Sequence, residues 1–335
     1  MFHSKYLRVV FLIKVLTWPA LCFCNQFSLS WPTPNPSFAR GLGYSTFLQK
    51  TGPTKDFSSG AFGCVRNHGY KFHEGLDLSP VQTTAKGYAV DSIFAAMGGE
   101  IAYISRSPKD SAYGRYMVIE HKTFTPVLYT LYAHLAEISP GLSVGMNVSV
   151  AQPIGRMGNS ASFHIPLNRS HLHFEIGVRL SNQFDKWYQR QSFKTKNKHG
   201  NYNGYNLVGI DPIKFYSSYQ AAAFDEPAKY LKSVSPVTKI LVKHTTHPYL
   251  AQSNPSLFTN LELGKSIKSW ICSFGPFGFP LGFEATTKET DEPIKVVSYD
   301  ERLDSGFCRK LITSRNGKLF PSDQLLTYLE LIFLD

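Results

Sequence analysis

Three short stretches concentrate the side chains able to do chemistry: "YKFHEGLDLSP", with His73 and Asp77, "LYTLYAHLAEI", with His134, and "SHLHFEIG", with His171, His173 and Glu175. Neutral imidazoles and a carboxylate are good zinc donors, and two histidines with one acid match the three protein ligands of a catalytic zinc site that keeps one position open for water. His73 and Asp77 supply two ligands and one histidine of "HLH" the third. The other histidine and His134 are left beside the metal, where they can act as general base or as donors to a developing oxyanion. A metal-bound water ionises near neutral pH, which provides the nucleophile.

These residues need elements that bring them together. In a strand, alternate side chains share a face, so His171, His173 and Glu175 point one way and Leu172, Phe174 and Ile176 the other. Gly75 and Pro80 argue against a helix across His73 and Asp77. "LDL" therefore reads as a strand start, with His73 on the loop entering it and a sharp glycine turn letting the pair converge. His134 closes an apolar strand in which Thr130, Tyr132 and His134 share one face. Glu175 either bonds a ligand histidine from behind or pairs with a strand neighbour. Arg66 either contacts a substrate carbonyl or carboxylate or forms a structural ion pair. Tyr132 and Phe72 read as packing residues.

In this order, "FHEGLDL", "YAHL" and "HLHFEIG" resemble the lysostaphin-type, or LytM-like, zinc metallopeptidases that cleave peptidoglycan. Gly63, Arg66, "GGEIAYI", "MVIEH", the glycine turns of "GLSVGMNVSVAQPIGRMGNS" and "GIDPIKFY" add to the likeness, which covers roughly residues 27 to 217. The resemblance implies one zinc ion on His73, Asp77 and His173, with His134 and His171 as catalytic histidines. It implies a mainly β fold, an antiparallel sheet domain of the duplicated hybrid motif type, with the site in a groove on a sheet. It also implies cleavage of cross-bridge or stem peptides. Two stretches depart from the pattern: "VQTTAKGYAVD" is long and "ASFHIPLNRS" is bulky, the latter bringing His164 and Arg169 toward the groove.

The remaining sequence supplies context. The chain has 335 residues, 43% hydrophobic and 18% charged, with a formal charge of +11, enough for one large or two ordinary domains. Short apolar runs separated by glycine and proline read as strands. Residues 1–24 resemble a secretory signal peptide, with Lys5 and Arg8 before an apolar run. Cleavage there removes Lys5, Arg8 and Lys14 and lowers the charge from +11 to +8. No later segment is long and apolar enough to span a membrane. A basic exported chain suits an anionic wall polymer rather than nucleic acid.

The sequence divides into a peptidase domain at 25–218, a linker at 219–236 and a C-terminal β-rich extension at 237–335. In the extension "TKILVKH", "SWICSFG", "EPIKVVSYD" and "LLTYLELIFL" read as strands and Asn316-Gly317 as a hairpin turn. A Gly98-Gly99 turn is expected to join two paired strands. Of the three cysteines after residue 24, Cys272 and Cys308 either pair with each other or stay as two thiols in the core, and Cys64 is the candidate free thiol. His244 and His247 read as surface residues. The expected activity is that of an exported zinc metalloendopeptidase acting on peptidoglycan. The alternative is a latent or inactive module that binds the wall or activates an amidase.

Overall fold

The structure is a computed structural model that describes residues 27–52, 56–304 and 306–333. The expected signal segment lies outside the described residues. The chain is built mostly from antiparallel sheets, with 22% helix and 30% strand.

Among the described residues nineteen strands occur in chain order. In the first part they are β1 (Gly63–Arg66), β2 (Lys71–His73), β3 (Leu76–Leu78), β4 (Ser92–Phe94), β5 (Gly99–Ser105), β6 (Tyr116–His121), β7 (Leu128–Ala133), β8 (Glu137–Ile138), β9 (Asn147–Val148), β10 (Pro153–Arg156), β11 (Leu172–Arg179) and β12 (Leu207–Ile210). Between β11 and β12 lies helix α1 (Phe184–Arg190). Helices α2 (Pro212–Gln220) and α3 (Pro227–Ser233) follow.

The main sheet runs β12-β11-β7-β6-β5-β9, and β3 also pairs with β11. Strand β11, next to one end of this order, is paired along both edges. One edge takes β3 along the first half (His173 opposite Asp77) and β12 along the second (Ile176 opposite Ile210), while the other edge takes β7. Alternation on β11 divides the burial. Leu172, Phe174, Ile176 and Val178 enter the large hydrophobic core with Met117, Ile119 and Tyr132. The opposite face carries a smaller cluster of Tyr116, Val118, Tyr129, Leu131 and Ala133, with Tyr103, Tyr113 and Tyr202 packed on it. His173 of β11 lies on this second, aromatic face, with His171 just before the strand.

The Gly98-Gly99 hairpin does not form. Strand β4 pairs with β10 in a separate three-stranded sheet, while β5 pairs with β6 and β9. Gly99 is instead a site of close strand approach, where a Cβ would stand 2.4 Å from the Glu120 carbonyl.

The C-terminal part holds β13 (Thr238–Lys243), helix α4 (Leu250–Ser253), β14 (Phe258–Thr259), β15 (Ser269–Phe274), β16 (Pro280–Thr286) and β17 (Ile294–Tyr299), which form a five-stranded sheet in the order β14-β16-β15-β13-β17. The hairpin β18 (Ile312–Arg315) and β19 (Lys318–Pro321) turns at Asn316-Gly317, both in the left-handed region. "LLTYLELIFL" departs from the strand reading: its residues 325–332 lie in helix α5 (Asp323–Ile332), started by the Ser322 side chain accepting from the Leu325 N–H. Leu325, Tyr328, Leu329 and Ile332 are buried at helical spacing. The continuous apolar run hid that periodicity.

The cysteine pairing is also corrected. Cys64 is bonded to Cys308, across 244 residues of sequence, and Cys272 is the free, buried thiol. Cys272 lies on β15, flanked by β13 and β16 and enclosed in the core. Cys308 sits on a turn that reaches the β1–β2 hairpin. Among the described residues no helix is long and apolar enough to cross a membrane.

Candidate metal centre

His73 ends β2 and Asp77 is the middle residue of β3. The turn between them works because residue 75 is glycine: a Cβ there would lie 2.2 Å from the Phe174 carbonyl oxygen. Asp77 is directly opposite His173 in the β3–β11 ladder, so both side chains leave the sheet on one face.

His134 arrives differently. Thr130 and Tyr132 point to the opposite side of the sheet, where Tyr132 joins the large core and its hydroxyl oxygen accepts from the Ala96 N–H at 2.7 Å. Simple alternation would send His134 with them. Its φ of 61° is left-handed and breaks the alternation. The ring then lies 4.8 Å from that of His171 and 5.9 Å from that of His173, centroid to centroid.

Each ring nitrogen has an assigned task. Nδ1–H of His73 donates to the Ala61 carbonyl at 2.7 Å, leaving Nε2 for the site. Nε2–H of His173 donates to Glu175 Oε1 at 2.8 Å, leaving Nδ1 inward. Nδ1–H of His134 donates to the Ser160 carbonyl at 2.9 Å, and Nδ1–H of His171 to the Arg169 carbonyl at 2.8 Å. Both keep Nε2 available, and that of His171 lies 3.6 Å from Asp77 Oδ1.

The inward atoms of His73, Asp77 and His173 form a nearly equilateral triangle. His73 Nε2 is 3.1 Å from Asp77 Oδ1 and 3.1 Å from His173 Nδ1, and the third edge is 3.2 Å. A tetrahedral zinc with bonds of about 2.0–2.1 Å spaces its ligands by roughly 3.3 Å. The donor set and its spacing therefore fit one metal ion, with a fourth position to spare.

The supporting shell is equally ordered. Asp77 Oδ2 accepts from Arg66 Nη2 at 2.5 Å and from the Thr51 hydroxyl at 2.8 Å. Glu175 accepts from the Tyr113 and Tyr129 hydroxyls at 2.6 and 2.9 Å as well as from His173. Both carboxylates are almost wholly buried and fully bonded, which such groups require.

The electrostatics follow from this packing. Burial alone would raise Asp77, but His73, His171 and Arg66 hold its carboxyl well below the usual range. Burial lowers His171 against the opposing pull of Asp77, and it pushes His134 well down, helped by the two neighbouring rings. Both are neutral bases at neutral pH. Burial also acts to lower His173, but Asp77 and Glu175 outweigh it and raise the ring to about 9. The triangle favours positive charge at its centre.

All five expected residues thus converge, with relative exposures of 0% for His73 and Asp77, 5% for His171 and His173 and 7% for His134. Glu175 bonds His173 from behind, and Arg66 is an ion-pair partner of Asp77. His164 is exposed and does not join the group. Thr51, Tyr113 and Tyr129 were missed. Tyr129 is legible through alternation, since it faces Gly177 across the β7–β11 ladder on the Glu175 side. Thr51 and Tyr113 lie in irregular segments with no such signal.

An antiparallel sheet bearing two histidines and an aspartate in ligand geometry, with two neutral histidines beside them, forms a candidate metal centre. Comparison with known families agrees: residues 71–185 match the model of Peptidase family M23, and the matched segment contains all five residues. Solved structures similar to this chain include the catalytic domain of the prophage-encoded M23 protein EnpA from Enterococcus faecalis, at 22% identity over 40% of this chain and 82% of that one, TM-score 0.26. A zinc-containing peptidase from Vibrio cholerae is 20% identical over 46% of this chain, TM-score 0.25, and the match spans only 34% of that structure's length. The catalytic domain of lysostaphin from Staphylococcus simulans is 18% identical over 52% of this chain and 96% of that one, TM-score 0.31. No curated protein matches the chain.

Proposed function

We propose that the chain is an exported zinc metalloendopeptidase that hydrolyses peptide bonds in bacterial peptidoglycan. The observation that carries this reading is the donor triangle of His73, Asp77 and His173, edged at 3.1–3.2 Å, with the free Nε2 atoms of His134 and His171 beside it. When bound, one zinc ion supplies Lewis acidity toward water and the substrate carbonyl. His73, Asp77 and His173 hold it. The Nε2 atoms of His134 and His171 accept the proton of the attacking water, donate a hydrogen bond to the developing oxyanion, and return the proton to the leaving amine. Carbonyls of Ser160 and Arg169 fix both rings for this work. Arg66 and Thr51 orient the Asp77 carboxylate.

In this reading residues 25–218 form the peptidase unit, 219–236 connect it to the C-terminal region and 237–335 form that region. The basic composition suits an anionic envelope polymer. The purified protein should contain one zinc per chain by elemental analysis and release new amino termini from purified peptidoglycan, with mass spectrometry of the fragments naming the bond. Stoichiometric zinc without any cleavage would instead favour the second reading, a latent form. The near-complete burial of the five site residues favours that alternative.

A further inference from the structure

Beside the centre lies a cavity of about 580 Å³ whose walls come from three parts of the chain. Glu74 and Tyr113 belong to the peptidase sheet and its loop, Lys196 and Tyr205 to the segment between β11 and β12, and Arg309 and Tyr328 to the C-terminal region. Tyr113 connects cavity and centre. Its ring is 5.5 Å from that of His173, and its hydroxyl bonds Glu175. Glu74 directly follows His73.

Arg309 is held firmly but is poorly satisfied. Its guanidinium lies 3.7 Å over the ring of Phe72, the residue before His73. Its neighbour Cys308 is bonded to Cys64 on β1, and Phe277 packs on Phe62 and Phe72 at 5.5 and 5.0 Å. The Arg309 side chain is only 20% exposed, and its charged neighbour, Glu74, stands at 3.6 Å, beyond hydrogen-bond length. Among the described residues the Arg309 guanidinium makes no hydrogen bond, and only the backbone N–H of the residue is bonded, to the Gly306 carbonyl at 2.8 Å. A guanidinium offers five donors in a rigid fork that matches a carboxylate. Stacking on Phe72 prepays the ordering of that fork. Lys196 adds an exposed cation at the rim, whereas Lys198 is engaged by Asp110 at 2.7 Å.

We infer that this cavity is a substrate subsite and that Arg309 determines specificity there by binding a carboxylate on the peptide near the scissile bond. The C-terminal region is then one wall of the substrate groove, clamped by the Cys64–Cys308 bond. This inference rests on the peptidase reading above.

The test compares the full chain and its Arg309→Gln and Arg309→Lys variants on purified peptidoglycan before and after amidation of its free carboxylates. The wild type is expected to cleave the carboxylate form roughly tenfold or more faster at low substrate. Arg309→Gln should erase that preference to within about twofold through KM, with kcat unchanged. Arg309→Lys, which keeps the charge but not the fork, should fall between them and protects the test should the glutamine variant fail to fold. Equal cleavage of both forms by the wild type, or undiminished preference in the variants, overturns the subsite. A wild type that cleaves neither form defeats the peptidase reading itself.

Discussion

His173 and Glu175 stand two residues apart on β11, and the 2.8 Å bond from Nε2–H of His173 to Oε1 of Glu175 turns Nδ1 inward, 3.2 Å from Asp77 Oδ1. In the proposed metal centre the choice of ligand nitrogen is therefore made by a residue outside the donor triangle. Glu175→Gln keeps the size but loses the charge that three donors converge on. Loss of such a partner costs about 10- to 100-fold in metal affinity. Chelator competition should find that loss while circular dichroism shows a retained fold. Undiminished affinity would remove Glu175 from the centre.

Ligand and proton-transfer roles separate by metal content. His73→Ala and His173→Ala remove corners of the triangle and should lose both zinc and turnover. His134→Ala and His171→Ala leave the triangle intact, so zinc should stay near one per chain while turnover falls about 10²- to 10⁴-fold, the range for lost acid–base help. Full activity in His134→Ala would exclude that residue. Zinc loss in His171→Ala with retention in His173→Ala would reverse their order.

The Cys64–Cys308 bond closes a loop of 244 residues, and removing a native disulfide of this kind costs about 2–5 kcal/mol. Cys64→Ser with Cys308→Ser should lower the urea midpoint accordingly. A chain starting at residue 25 should show one thiol in denaturant without reductant, that of Cys272, and all three, Cys64, Cys272 and Cys308, after reduction. Three thiols before reduction would rule the bond out.

Much of this centre is readable from sequence because strand alternation is strict: His171, His173 and Glu175 share a face, and Gly75 signals the turn that brings His73 to Asp77. What escapes are contacts that no local period encodes. His134 reaches the site through one left-handed residue, which alternation alone places on the wrong side. Thr51 and Tyr113 come from irregular segments brought in by tertiary packing. The disulfide escaped because its partners are 244 residues apart, and proximity within the C-terminal third pointed to Cys272 instead. Helix α5 escaped because its apolar residues, Leu325 to Ile332, form a nearly unbroken run in which either period fits.

The pH dependence of stability tests a histidine away from the centre. His121, at the end of β6, is completely buried; its Nδ1–H donates to the Gly98 carbonyl at 2.9 Å, and Nε2 accepts from the Thr130 hydroxyl at 2.9 Å. Burial, outweighing the Gly98 bond and the Glu120 charge, lowers the ring from its ordinary 6.5 to about 4. Above pH 6.5 neither the folded nor the unfolded state binds this proton. Between 6.5 and about 4 only the unfolded chain does, so stability falls as pH falls through that window and levels off below it. The gap corresponds to about 3 kcal/mol at its fullest. Because His73, His134 and His171 are lowered too, the informative quantity is the difference from His121→Gln, which offers a donor and an acceptor but does not titrate. Urea unfolding of both proteins from pH 7.5 to 4 should show the wild type losing more stability than the variant, by up to that amount. Parallel curves would mean that His121 is protonated as readily in the fold as outside it.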